Sequence, residues 1–155
     1  MKKTILKYVM VGILITFTYY PAFENFIPTI NVQADTNKKR SYKKIDEKGI
    51  KKFSTYLKKS LREPMKEIGL EYDVTYIDTL LYIKLPQDAK YSDKTTTQKA
   101  VDNLLNFKNN AYLKWAKKNK YKYKKLKDFP YLYVEVEDGT VLAEEDGVSR
   151  TMKLK

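Results

Sequence analysis

YLYVEVEDGTVLAEEDGVSRTMKL, Tyr131 to Leu154, is the stretch that decides the architecture. It contains three runs rich in β-branched, aromatic and aliphatic residues, Tyr131 to Glu137, Thr140 to Glu145 and Val148 to Leu154. They are separated by Asp138-Gly139 and Asp146-Gly147. Aspartate and glycine tolerate the positive φ that tight hairpin turns demand, so the spacing predicts a three-stranded meander with two-residue turns. Upstream, Tyr72, Val74 and Tyr76 alternate with Glu71, Asp73 and Thr75 in the two-residue period of a half-buried strand. Asp78-Thr79 makes a tight connection to Leu80–Leu85, which Pro86 closes, and these segments form a second hairpin.

Helical periods precede each β segment. Ile50, Phe53, Leu57, Leu61, Met65 and Ile68 share one face, with Asp46 placed to cap the start and Gly69 to stop the end. Pro64 marks a kink or the first turn of a second helix. Thr95 and Gln98 have the spacing of a capping box. The long helix after them carries a stripe of Ala100, Leu104, Phe107, Ala111 and Trp115, widened by Val101, Leu105 and Tyr112. The expected fold is therefore an α+β two-layer domain, helix-strand-strand-helix-strand-strand-strand, with an antiparallel sheet and both helices on one face.

The domain is expected over residues 46–155. Ahead of it, Lys2, Lys3 and Lys7 precede the uncharged run Tyr8 to Tyr20, and Val32-Gln33-Ala34 forms a small-residue cleavage pattern before Asp35. That layout reads as a signal peptide over 1–34, followed by a basic polar leader over 35–45. A membrane span takes roughly 20 apolar residues, and Pro21, Glu24 and Asn25 interrupt this run sooner. Secretion or display at the cell surface is expected, and an uncleaved N-terminal anchor with the domain outside is the alternative. Arginine is scarce (Arg40, Arg62, Arg150) beside abundant Tyr, Asn and Ile, and cysteine is absent. The pattern resembles exported proteins of Gram-positive bacteria with low GC content.

Composition excludes several chemistries. With neither cysteine nor histidine, Ser-His-Asp and Cys-His arrangements cannot be built, and zinc loses its usual ligands. Five glycines, none clustered, offer no phosphate-cradling loop. No cofactor is expected. Stability must come from apolar burial without disulfides.

Charge is segregated along the chain, whose formal net charge is +12. Lys114, Lys117, Lys118, Lys120, Lys122, Lys124, Lys125 and Lys127 occur with no acid among them and with Tyr121 and Tyr123 interleaved. As a binding site, this patch attracts phosphates or carboxylates at long range while its tyrosines stack on sugars or bases. As plain structure, its tyrosines pin the helix exit to the core and its lysines are merely solvated. From Asp128 to Ser149 the sign reverses. Glu135 and Glu137 share one side of a strand, with Glu144 or Glu145 across the hairpin. Such carboxylates suit acid-base work or a hard cation such as calcium, or else form the wet face of a sheet.

The reading is an exported, non-catalytic binding protein whose Lys/Tyr patch meets an anionic wall polymer, an anionic membrane surface or an acidic protein. A small secreted enzyme or metal-binding protein using the acidic hairpin is the first alternative. A secreted inhibitor or immunity-type protein is the second. No zinc-finger, RNA-recognition or KH signature is present, so sequence-specific nucleic-acid binding is not expected.

Overall fold

The computed structural model describes residues 42–155; the expected signal peptide and residues 35–41 of the leader lie outside them. Two helices and five strands follow in the order α1 (Glu47–Glu67), β1 (Asp73–Ile77), β2 (Leu80–Leu85), α2 (Lys94–Asn119), β3 (Tyr131–Val136), β4 (Val141–Glu145) and β5 (Met152–Leu154). Short 3-10 turns at Gln87–Tyr91 and Leu126–Asp128 flank α2. Among the described residues, no helix is long and apolar enough to cross a membrane.

α1 runs unbroken through Pro64. Its stripe of Ile50, Phe53, Leu57, Leu61 and Met65 is completely buried, each side chain contributing about 1.5–3 kcal/mol by leaving water. Asp46 caps it by accepting from the Gly49 N–H at 2.8 Å. At the other end Gly69, with φ +63°, reverses the chain. The N–H groups of Leu70 and Gly69 then bond back to the carbonyls of Met65 (2.9 Å) and Lys66 (3.0 Å), a glycine-dependent helix stop. α2 is capped differently from the expected box. Asp93, not Thr95, accepts from the Thr96 N–H, and Gln98 donates to Asp102 and to the Met152 carbonyl.

The five strands form one sheet in the order β1-β2-β3-β4-β5. Three pairings are antiparallel, but β2 and β3 are parallel, in the register Leu81–Leu132, Ile83–Val134 and Leu85–Val136. This corrects the expected antiparallel sheet to a mixed one. The physical reason is α2: parallel neighbours need a long crossover, and a 26-residue helix supplies it. The two hairpins are thus joined edge to edge through a β2-α2-β3 unit.

Alternation along the strands buries Val74, Leu81, Ile83, Leu85, Leu132, Val134, Val136, Ala143 and Met152 on one face, where α1 packs on β1 and β2, α2 packs on β5, and the helices touch each other. No helix among the described residues covers the opposite face, which carries the stacked rings of Tyr82 and Tyr133, 5.2 Å apart. Turn chemistry differs from expectation at both Asp-Gly pairs. Glu137-Asp138-Gly139 is a three-residue loop with only Gly139 at positive φ, closed by Gly139 N–H to Val136 O and Val136 N–H to Thr140 O. Asp146 instead organises a longer loop, its Oδ1 accepting from the backbone of Val148 and Ser149 and from the Ser149 hydroxyl. β5 is correspondingly shortened to three residues.

One ionic cluster lies inside this core. Lys108 of α2 and Glu145 of β4 have fully buried side chains, and Nζ meets Oε2 at 2.9 Å. Lys108 also donates to Pro130 O at 2.7 Å, and the Leu132 N–H donates to the same Glu145 oxygen at 2.9 Å. Arg150 Nη2 faces Glu145 Oε1 at 2.9 Å and donates to Phe129 O at 3.2 Å, while its guanidinium covers the Tyr131 ring at 4.1 Å. Burial pushes the Lys108 amine down to about 8 against the pull of Glu145. Replacing Glu145 with Gln leaves two buried cations facing a neutral amide. Urea unfolding of E145Q is expected to show a loss of about 3–5 kcal/mol; a variant as stable as the parent contradicts this role.

Candidate anion-binding groove

The groove begins where α2 stops. Lys120 adopts the left-handed conformation (φ 61°), and both its N–H and that of Tyr121 bond to Ala116 O. The chain turns there and drives the Tyr121 ring inward, leaving it 5% exposed and stacked on Trp115 at 5.0 Å with planes 15° apart. Its hydroxyl meets Asp46 Oδ1 at 3.2 Å. A Cβ on Gly49 would stand 2.9 Å from this ring, so glycine is what lets the ring lie against the start of α1. Tyr121 and Trp115 therefore anchor the helix exit and offer no face to a ligand.

A second strand of contacts ties residues 42–45 to the same place. Lys43 N–H donates to Lys120 O at 3.2 Å, and Lys122 N–H donates to Lys43 O at 2.8 Å, a short parallel bridge outside the sheet. Lys43 Nζ lies 4.7 Å from the centre of the Tyr121 ring and pairs with Asp46 Oδ2 at 2.9 Å. That ammonium, followed by the Gly49 N–H, holds the Asp46 carboxyl down at about 2. Ile45 packs against the core. Tyr42 is thereby set edge-on to Tyr123, with ring centres 5.5 Å apart.

Beyond Tyr123 the chain loops out and returns through the 3-10 turn to Phe129. The fully buried Tyr112 pegs both ends of this loop, its hydroxyl donating toward the carbonyls of Lys122 (3.1 Å) and Asp128 (3.2 Å). Burial, then the neighbouring Asp128 charge, pushes the Tyr112 phenol above its ordinary range, so it remains a donor. Between the pegged ends opens a groove of about 340 Å³ lined by Tyr42, Lys122, Tyr123, Lys124, Lys125, Lys127 and Asp128.

Four of the expected lysines thus converge on one concavity. Lys114, Lys117, Lys118 and Lys120 are exposed on the last turns and cap of α2, where cations also complement the helix dipole. None of these eight lysines forms an ion pair with a described carboxylate. Lys43, Lys58, Lys84, Lys90, Lys108, Lys153 and Lys155 are paired, while Lys44, Lys48, Lys51, Lys52, Lys59, Lys66, Lys94 and Lys99 are as unpaired as the eight. What distinguishes the 114–127 run is that four of its lysines line one concavity.

The acidic candidates do not converge. Glu135 and Glu144 lie on the helix-free face, paired with Lys84 at 3.3 Å and with Lys155 respectively. Glu137 is exposed in the hairpin loop, and Glu145 points the other way into the core. Among the described residues no three potential metal-ligating side chains cluster. Tyr42 joins the groove through long-range backbone pairing that no local pattern signals. Lys108 was missed, although it stands four residues from both Leu104 and Tyr112, on the apolar stripe.

Comparison of the chain with family models, with curated proteins and with solved structures gives no match in any of the three.

Two outcomes follow from this construction. Tyr112→Phe removes the shared donor and is expected to cost about 1 kcal/mol, while amide hydrogen exchange over 122–128 accelerates and that of β2 and β3 does not. For Asp46, the native carboxyl titrates at about 2 against about 3.9 when unfolded. Its stabilisation is therefore complete above roughly pH 4 and is lost as pH falls toward 2. The stability gap between wild type and Asp46→Asn, followed by urea unfolding, is expected to be constant near neutrality and to close in that acid window.

Proposed function

We propose that this is an exported, non-catalytic binding protein that works at the cell envelope or outside the cell and contacts an anionic partner through the lysine-lined groove. One observation carries the reading: four lysines of an acid-free run, Lys122, Lys124, Lys125 and Lys127, line the same concavity beside two tyrosines. Unpaired cations gathered in one place raise the local concentration of an anion and speed its capture. Lysine supplies point charges on flexible stems, without the planar fork of arginine, so attraction is broad and salt-sensitive. The N-terminal Lys2, Lys3 and Lys7, the apolar run and Val32-Gln33-Ala34 support export. Outside a Gram-positive cell, the anions met first are wall polymers and lipid headgroups.

Retention on anionic cell-wall material is expected at low ionic strength and is expected to fall steeply with added salt. Joint replacement of Lys122, Lys124, Lys125 and Lys127 by Gln is expected to abolish it with an unchanged circular dichroism spectrum and melting curve. Full retention by that variant refutes the assignment. In the native host, export predicts a processed species beginning at Asp35 in the wall or medium fraction.

A further inference from the structure

Resting on that reading, we infer that the groove is built for a polyol-phosphate chain, a polymer in which phosphodiesters alternate with hydroxylated, base-free units. Three features of the groove select this class among polyanions.

The first is shape. Lys122, Lys124, Lys125 and Lys127 line a concavity of about 340 Å³ together with Tyr42 and Tyr123. A volume at the small end of ligand pockets takes a short stretch of chain into a recess rather than spreading it over an open face. A bilayer presents its charges in a plane and cannot bring them to the ring walls of a recess. Leu126, 40% exposed at the loop's crest, is a single apolar side chain, far short of the apolar face by which surface helices enter lipid.

The second is the aromatic count. Single-stranded nucleic acids are held by successive rings that each stack a base. Of the aromatics near the lysines, Trp115 and Tyr121 are buried and stacked on each other. Tyr42 and Tyr123 remain, turned edge-on to one another. That pair walls a groove and supplies hydroxyls, but it presents no ladder of platforms.

The third is Asp128. It is the one acid in a lining of four lysines and two tyrosines; a carboxylate there repels a bare phosphate chain, yet is a strong acceptor for sugar or polyol hydroxyls. Its backbone carbonyl is held by Tyr112, so the residue is fixed in place by the same peg that shapes the loop. Lys114, Lys117, Lys118 and Lys120 continue the positive surface beyond the groove, where the phosphates of neighbouring units are received.

The test uses the full-length chain and four probes matched in phosphate concentration: poly(glycerol phosphate), inorganic polyphosphate, poly(U) and phosphatidylglycerol vesicles. Each is titrated against wild type, Asp128→Asn and the four-lysine Gln variant, so that binding through the N-terminal apolar run cancels in the comparison. The expected result is lysine-dependent binding of poly(glycerol phosphate) about tenfold tighter than of polyphosphate, the weight of one hydrogen bond to a charged group. Asp128→Asn is expected to weaken the first and strengthen the second. Equal or tighter lysine-dependent binding of polyphosphate, poly(U) or vesicles overturns the polyol-phosphate assignment and leaves the anionic-partner reading standing. A parallel gain for both phosphate polymers in Asp128→Asn likewise overturns the role of Asp128. Absence of lysine-dependent binding to every probe overturns both.

Discussion

The carboxylate of Glu145 is the point through which the chain's distant parts are held together. It lies at the end of β4, receives the Lys108 ammonium from α2 and the Leu132 N–H from β3, and faces Arg150 from the loop before β5. Two cations and one anion in a dry core form an expensive arrangement, since desolvation costs several kcal/mol per ion. Burial acts on the Lys108 amine more strongly than the attraction of Glu145 does, which is why its affinity for a proton falls. What keeps the cluster in place is saturation of one carboxylate oxygen by two donors, together with the carbonyls of Pro130 and Phe129, which accept from Lys108 Nζ and Arg150 Nη2, while Arg150 Nε and Nη1 are left without a hydrogen-bond partner. The ionic contacts join α2 to β4 and to the start of β3 in one register, alongside the parallel backbone pairing of β3 on β2.

That register has a consequence at the surface. Pro130 and Phe129, whose carbonyls serve the cluster, directly follow the loop that walls the groove. The loop is thus clamped on its inner side by Tyr112 and on its downstream side by the Lys108–Glu145–Arg150 contacts. Upstream it is held by the Tyr121–Trp115 stack and the Lys43 backbone pairing. A segment with four lysines in six residues repels itself. Its conformation is set by backbone and ring contacts that do not depend on the lysine heads, leaving those heads outside.

Much of this was legible in the amino-acid pattern, and the parts that were not have definite reasons. Both helices follow from a period of 3.6 and the strands from alternation and turn residues, although β5 covers only Met152–Leu154 of the expected Val148–Leu154; Asp46 and Gly69 act as their residue types predict. The parallel β2/β3 pairing is hidden because two hairpins in sequence suggest a meander, although a strand, a long helix and a strand in succession is also the pattern of a crossover unit. The buried Lys108 is concealed by the habit of assigning charge to the wet face, even though its spacing from Leu104 and Tyr112 puts it on the stripe. Turn length at Asp138-Gly139 is ambiguous because a glycine closing a three-residue loop and a glycine closing a two-residue turn leave the same Asp-Gly pair in the sequence. For the groove, the lysines were visible and their convergence was not: it depends on Tyr42, some eighty residues upstream, and on a hydroxyl from the middle of α2.

The division of labour within the groove sets what it can discriminate. Ammonium groups on flexible stems respond to charge density and little else, so eight of them would draw any polyanion to this end of the molecule. Discrimination has to come from the groups whose positions are fixed, because only these make a misfit costly. In this protein the fixed groups are the paired rings of Tyr42 and Tyr123 and the Asp128 segment, each tied to the core through backbone contacts. Under the proposed function, attraction and selection fall to different residues. On the proposed reading, an acid placed among cations weakens the first of these functions and serves the second.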